Sequence, residues 1–328
     1  MLRIMSYTPD GVIRTGLSID EAKAILTDPE SRLWLDFEAT PPEGDEPVLR
    51  EVFGFHRLAI EDALKQSHVP KLDDWEDYLY IVLHAVAIDE VHGGAVDTLE
   101  LDVFLGKNYL VTHHDKQIDA LERIWSNIGH DQRYHKNGVD RLLYRIADEV
   151  VGSYMPVVEA LDKAIDDAED QVFNNPTPRT LEKIFSLKRD VLHLRRVIGP
   201  QREVLNRLAR DDYAVVEVRT RVYFRDVYDH LVRMHDITET VRDLVSGALD
   251  TYLSVINNRM NDIMKTLAVV TTLFMPISFL TGFFGMNFFA ADPPYAFWTS
   301  APVMVAVLVM MFVVPFSMFA WIRRRGWM

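Results

Sequence analysis

The sequence contains no cysteine. A disulfide framework, a thiolate zinc site, an iron–sulfur cluster and a cysteine nucleophile are therefore excluded, and the redox compartment stays open. Basic residues are also in the minority, with 35 Lys and Arg against 49 Asp and Glu and a formal net charge of −14. Because proteins bind nucleic acids by neutralising phosphates with basic side chains, this balance argues against a nucleic-acid partner. An ion attracted by the chain would be a cation.

Charge is almost missing from one stretch of the chain, since Asp292 is the only charged residue between Lys265 and Arg323. Two apolar runs of 21 and 26 residues lie there, at 266–286 and 297–322. About 20 apolar residues are enough for a helix to cross the hydrocarbon of a bilayer. The sequence therefore predicts two C-terminal transmembrane helices joined by an outer loop at 287–296, with membrane lipid as one partner.

Basic residues flank the two spans on one side only. Arg259 and Lys265 precede the first span, a basic tail at 323–328 follows the second, and the loop between them has no Lys or Arg. The positive-inside rule then places both termini in the cytoplasm. We expect a multi-pass protein of the cell (inner) membrane.

The sequence pattern of the part before the spans changes from mixed strand and helix signals to long helical periodicity. Residues 1–135 mix β-branched and aromatic runs with short helical stretches, which predicts a cytoplasmic α+β domain. Within it, we interpret His113 and His114 as the end of a strand rather than as a metal site. Residues 136–222 have helical periodicity around an Asn/Pro turn and predict a long antiparallel helical pair. From 223 to 286 the first proline is Pro276, which predicts one stalk helix that continues into the first span.

A narrow face of this stalk helix carries small, polar or flexible residues. Steps of seven from Asp250 give Asn257, Met264, Thr271, Ser278 and Gly285, and an interleaved row holds Ser254, Asn261, Ala268 and Met275. Hydrocarbon satisfies no polar group, so this face has another partner. Close helix packing through small residues and the lining of a shared aqueous pore are both open. The continuation of the row to Asp250, Asn257 and Asn261 favours the pore.

The first span ends in Gly285-Met286-Asn287, ahead of a second span and a basic tail. With this motif, the sequence resembles the CorA family of divalent-cation (magnesium) channels, the two-membrane-helix Gly-Met-Asn group. The resemblance extends through YFRDVYDH at 223–230, LVSGALDTYLS at 244–254, residues 261–288 and, upstream, residues 56–86. It therefore covers most of the chain in ordered spacing.

The resemblance implies a funnel-shaped homopentamer that mediates passive, potential-driven influx of hydrated Mg²⁺, with Co²⁺, Ni²⁺ or Zn²⁺ as further candidate ions. Gly285, Met286 and Asn287 match the selectivity filter. The positions that match the pore lining are Asp250, Asn261, Met264, Leu267, Met275 and Ser278, and the polar row adds Asn257 and Thr271. Asp89 and Asp226 match a pair that holds a regulatory Mg²⁺ between neighbouring subunits and closes the channel.

One departure concerns the outer loop. Family members typed as magnesium channels usually carry Met-Pro-Glu-Leu after the motif, whereas this loop reads FFAADPPYAF and offers only Asp292. A zinc transporter of the ZntB-like branch therefore stays in view, although no His or Cys lies in the spans or loop. A non-conducting membrane-anchored scaffold is the remaining alternative.

Two other activities are disfavoured. No P-loop, GxSxG or HExxH motif occurs, so we do not expect an enzyme. Proton-coupled transport is also disfavoured, because neither span holds an ionisable residue that could carry a proton through the membrane.

Overall fold

The computed structural model of the chain describes residues 1–8, 10, 12–28, 30–65, 69–89, 94–128, 138–286 and 300–326. Contacts between Cα atoms divide the chain into two units, Met1–Leu249 and Asp250–Met328. Each unit is described by itself below.

The first unit is built on a mixed seven-stranded sheet. Its strands are β1 (Leu2–Tyr7), β2 (Ile13–Thr15), β3 (Arg32–Glu38), β4 (Lys71–Asp74), β5 (Leu79–Asp89), β6 (Ala95–Leu105) and β7 (Tyr109–His114). Their order across the sheet is β2-β1-β3-β7-β6-β5-β4, and among these described strands only β3 and β7 pair in parallel. This architecture confirms the predicted α+β domain.

Strands β6 and β7 form an antiparallel hairpin. The amide of Gly106 donates to the carbonyl oxygen of Tyr109 at 2.9 Å, which closes the turn between β6 and β7. A Cβ at position 106 would overlap the ring of Tyr109, so only glycine lets that ring fold back over the turn. β7 then ends at His114, as the interpretation of the two histidines as a strand end required.

Helices cover both faces of this sheet. They are α1 (Ile19–Leu26), α2 (Pro42–Glu51), α3 (Arg57–Lys65), α4 (Asp119–Asn127), α5 (Val139–Gly152), α6 (Tyr154–Asn174) and α7 (Pro178–Arg210). On one face, side chains of α1 to α3 share an apolar core with Leu33, Leu35 and Phe37 of β3. Trp34 points to the other face, because side chains alternate along a strand, and packs there on Trp125 of α4 with ring centroids 4.7 Å apart.

The predicted helical pair is three helices in the structure, because the stretch before the Asn/Pro turn breaks at Ser153. The Ser153 hydroxyl donates to the carbonyl oxygen of Val150 and accepts from the amide of Val86 on β5. Pro156 then lacks the amide proton that would bond to the carbonyl oxygen of Gly152. A contact to the sheet and a missing donor thus separate α5 from α6.

Two further helices complete the described chain. Helix α8 runs from Val218 to Phe284 and starts five residues before the predicted position 223, while α9 runs from Ala301 to Arg324. Residues 287–299, which contain the predicted outer loop, lie outside the described residues. The predicted domain limits remain predictions.

A buried polar cluster lies where α2 meets β6 and β7. The imidazole of His113, 5% exposed, lies 3.6 Å from a carboxylate oxygen of Asp45 and 3.8 Å from one of Asp102. Thr40 donates to Asp45 and Tyr80 donates to Asp102. Burial opposes the charge of the imidazole, but the two carboxylates outweigh that penalty and raise the pKa of His113 to about 9. The cluster therefore contains a cationic imidazole between two acids at neutral pH.

A second buried ion pair lies on the opposite face of the sheet. Arg3 of β1 binds the fully buried carboxylate of Asp36 at 2.5 Å and Glu122 of α4 at 2.6 Å. Thr112 and His114 also contact Asp36, at 2.5 and 3.2 Å. Burial works against ionisation, yet these three partners hold the pKa of Asp36 below its usual value.

Candidate pore and ion-binding site

Helix α8 uses one face for packing within the first unit. Its buried apolar side chains there recur every three, four or seven residues: Phe224, Val227, Leu231, Met234, Val241, Val245 and Ala248. Around Phe224 the packing is aromatic, with Tyr144 of α5 at 6.3 Å between ring centroids. The opposite face, which carries Asp226, is exposed. The sequence thus fixes α8 by an apolar stripe and leaves its acidic side accessible.

The second unit buries almost nothing. Helices α8 and α9 are each long and apolar enough to cross a membrane. Within the predicted first span only Val269 is buried in the single chain, with 7% of its surface exposed. Large apolar side chains that water would otherwise contact mark a surface covered by lipid or by protein.

All eight predicted pore-lining residues lie on α8 and are exposed in the single chain. Asp250, Asn257 and Asn261 come first, and Met264, Leu267 and Met275 follow with 58%, 58% and 66% of their surfaces exposed. The hydroxyl of Thr271 donates a hydrogen bond to the carbonyl oxygen of Leu267 within the same helix, at 2.9 Å. A continuous face, exposed in the described part of one chain, therefore presents acid and amide groups first and apolar groups further along.

Of the predicted selectivity filter, two residues fall in the described part. Gly285 ends α8 by donating its amide to the carbonyl oxygen of Thr281 at 2.8 Å. A Cβ on Gly285 would stand 2.8 Å from that same oxygen, closer than real Cβ atoms come. Met286 follows with 55% of its surface exposed, and Asn287 lies outside the described residues. The glycine of the motif is thus required by the helix end itself.

The predicted regulatory pair is only half described. Asp226 is exposed on α8, and Asp89 is the last residue of β5, where its backbone pairs with Ala95. The Asp89 side chain is not among those described. Whether the two carboxylates share an ion stays a prediction, and the pair as predicted needs a second subunit.

A third acid near Asp226 was missed by sequence reasoning. Asp148 of α5 and His230 of α8 line a cavity of about 370 Å³ in the first unit. Burial raises the pKa of Asp148, the charge of His230 lowers it, and the carboxylate of Asp226 raises it. Asp148 follows an apolar helical run, so a half-buried acid at that place in α5 was the available signal. Among the described residues, no three His, Asp or Glu side chains form a metal cluster within one chain.

Charge is distributed unevenly between the two units. Residues 250–328 contain three acids and five bases, so the net charge of −14 leaves −16 on residues 1–249. A cation would therefore be attracted to the first unit, and the basic residues gather at the ends of the apolar helices.

These features define an integral membrane protein in which an α+β domain is joined by one long helix to two C-terminal spans. A family model described as "CorA-like Mg2+ transporter protein" matches residues 30–324. The chain belongs to this family of divalent-cation transporters, which agrees with the expectation that it is not an enzyme.

Two curated relatives match the whole chain. The "Cobalt/magnesium transport protein CorA" of Thermotoga maritima is 35% identical over 100% of this chain and 92% of its own length. The protein of the same description from Methanocaldococcus jannaschii is 27% identical over 100% of both chains.

Solved structures show the same fold. The complete structure of the CorA magnesium transporter from M. jannaschii superposes with a TM-score of 0.80 at 24% identity, covering 99% of this chain and 98% of that one. The ZntB cytoplasmic domain from Vibrio parahaemolyticus gives 0.61 at 14% identity, covering 79% of this chain and 99% of that one. At these identities the likeness concerns the fold alone.

Proposed function

We propose that this protein is a magnesium channel that works as a homopentamer and lets hydrated Mg²⁺ enter the cytoplasm passively, driven by the membrane potential. Co²⁺ and Ni²⁺ are the further ions that it would carry. The observation that carries this proposal is the exposed face of α8, which runs unbroken from Asp250 through Met275 to the glycine turn at Gly285. Two relatives that match the whole chain are named as cobalt and magnesium transport proteins.

In a ring of copies, this face would line the pore. Mg²⁺ gives up its water reluctantly and prefers octahedral oxygen ligands. A filter of backbone carbonyls and Asn287 amide oxygens can hydrogen-bond to the hydrated ion, so the ion need not shed its water. Rings of Met264, Leu267 and Met275 would form an apolar constriction, and such constrictions close by dewetting.

Acidic groups in the first unit would supply the feedback. A Mg²⁺ ion held by Asp89 of one subunit and Asp226 of the next stabilises the closed arrangement, because an ion that prefers one state shifts the population toward it. When intracellular Mg²⁺ falls, the carboxylates lose their shared counter-ion and repel one another. Asp148 and His230 stand close enough to Asp226 to influence the same charge balance.

The sequence of the outer loop bears on which ion the channel would carry. The loop lacks the expected glutamate, which keeps zinc as the competing substrate. The filter offers neutral oxygen ligands and no imidazole or thiolate, and such ligands suit Mg²⁺ better than Zn²⁺. A membrane potential of 100 mV supplies about 2.3 kcal/mol per charge, so no proton gradient is needed.

Reconstitution into proteoliposomes tests conduction and ion choice together. Uptake of Mg²⁺, Co²⁺, Ni²⁺ and Zn²⁺ is measured under an inside-negative potential, with and without a pH gradient. We expect Mg²⁺ uptake that is independent of the pH gradient and is lost in Asn287→Ala. Uptake of zinc alone, dependent on the gradient, would establish the competing function. No divalent uptake by the wild type would support the scaffold.

A matched pair of aspartates on α8 tests the feedback. Asp226→Ala should need a higher internal Mg²⁺ concentration to stop uptake, while Asp229→Ala, also exposed and one turn further along the helix, should inhibit at the wild-type concentration. Equal inhibition curves for the two variants would exclude Asp226 from the regulatory site and leave conduction untouched.

A further inference from the structure

A groove in the second unit lies between α8 and α9 at the basic ends of the apolar runs. It encloses about 760 Å³, within the range of sites that hold small ligands. Ala268, Val269 and Met318 line its apolar part, and Asn258, Lys265 and Trp321 line its polar part. The lining therefore changes from apolar to polar along the groove.

Carboxylates of the protein would compete little with an anion for the cations at this end of the groove. Lys265 lies 3.6 Å from Asp262, but both side chains are largely exposed, and exposed pairs of this kind contribute little. At the end of α9, the guanidinium of Arg325 stands 5.1 Å from the centroid of the Trp321 ring. No carboxylate of the described residues pairs with Arg323, Arg324 or Arg325, all of which are exposed. The groove is thus lined by one cation, Lys265, and one acid, Asp262. A second cation, Arg325, stands over the Trp321 ring that also lines it.

The positions of these residues match the boundary between hydrocarbon and water. Lys265 is the last charged residue before the first apolar run, and Arg323 is the first after the second. Trp321 precedes it by two residues, and tryptophan favours the level of the lipid headgroups. The apolar part of the groove therefore faces hydrocarbon depth, and its polar part faces the headgroups.

We propose that this groove binds an anionic phospholipid. Its acyl chain packs on Val269 and Met318, and its phosphate binds the ammonium of Lys265 and the basic end of α9 beside Trp321. Charge complementarity selects this occupant, because basic pockets between membrane helices on the cytoplasmic side attract anionic headgroups. Asp262 opposes the phosphate and limits the affinity. Asn261 and Met264, predicted to line the pore, also border the groove, so a lipid there would touch the helix that conducts.

The test uses the full-length protein, purified in detergent and stripped of lipid, with dioleoyl phosphatidylglycerol and dioleoyl phosphatidylcholine as probes. Native mass spectrometry counts the bound lipid and gives its apparent Kd. We expect about one phosphatidylglycerol per chain and weaker binding of phosphatidylcholine. Removal of one cation near the headgroup, in Lys265→Gln, should weaken phosphatidylglycerol binding by about fivefold.

Two further variants are measured: one that should strengthen lipid binding, and one control that should leave it unchanged. Asp262→Asn removes the repelling carboxylate and should strengthen phosphatidylglycerol binding, a gain that a misfolded protein would not show. Lys163→Gln changes an exposed lysine of α6 in the first unit and should leave binding unchanged.

Three results would overturn the proposal. Equal affinity for the two lipids would remove the headgroup charge from recognition. Unchanged phosphatidylglycerol binding in both Lys265→Gln and Asp262→Asn would place the lipid elsewhere. An assembled protein that binds no added phosphatidylglycerol would mean that a second copy of the chain fills the groove.

Discussion

The cationic imidazole of His113 should make the stability of the first unit depend on pH. In the unfolded chain a histidine titrates near 6.5, and in the fold the pKa of His113 is about 9. A group with a raised folded pKa contributes its full stability below the unfolded value, and loses that contribution as pH rises through the folded value. The contribution should therefore be complete at pH 6.5 and gone by about pH 10.

The size of the effect follows from the difference of about 2.5 pKa units. At 1.36 kcal/mol per unit this is roughly 3 kcal/mol, and the side chain is buried enough that solvent screens little of it. For a domain of 150–250 residues, 1 kcal/mol shifts Tm by about 2–4 °C, so the full effect is roughly 6–12 °C. His113→Gln should lower the Tm by that amount at pH 6.5.

The assay is thermal unfolding of the full-length protein in detergent, followed by intrinsic fluorescence at half-unit steps from pH 6 to 10. The gap between wild type and His113→Gln should close as the pH approaches 10. His193→Gln is the control, because His193 is exposed and its ring lies 3.1 Å from the Thr98 hydroxyl rather than between two buried carboxylates. A gap that stays constant with pH would refute the charged imidazole, and no gap at any pH would refute the role of the cluster.

Three more predictions rest on single contacts. Gly285→Ala should lower Mg²⁺ uptake by proteoliposomes to near the background of empty vesicles, because its Cβ strikes a backbone oxygen, whereas Gly247→Ala on the same helix meets nothing within 4 Å and should conduct normally. Arg3→Met removes the guanidinium from a buried carboxylate and should cost about 3 kcal/mol in urea unfolding; an unchanged midpoint would mean that the remaining partners suffice. Gln201→Leu leaves the buried amide of His84 without its acceptor at 2.7 Å and should cost about 1–3 kcal/mol, and a variant as stable as the wild type would contradict that contact.

Sequence alone predicted the parts of the fold that long patterns determine. The two spans and the long helix α8 are confirmed, because apolar runs and the absence of helix breakers extend over many residues. Strands β2 and β4 were missed, since three or four residues are too few to show an alternation. The break at Ser153 depends on a hydrogen bond to Val86, 67 positions away, which no local pattern encodes.

The candidate site divides in the same way. The row from Asp250 to Ser278 could be predicted because it repeats along one helix, and the structure places it on one exposed face. Asp148 could not, because it approaches Asp226 only through the packing of α5 on α8. The requirement for glycine at position 285 depends on a backbone distance, although the motif itself was visible.

The parallel pairing of β3 with β7 also affects the order of folding events while the chain is being synthesised. Leu33 is paired with Tyr109, so β3 waits for a partner strand made 76 residues later. Long-range pairing of this kind is slow, yet another 151 residues lie between the end of β7 and the start of the first apolar run. At 5–20 residues per second, the ribosome needs roughly 8–30 s to cover that distance. All seven strands can therefore be paired before the chain presents its first span to the machinery that inserts it into the membrane.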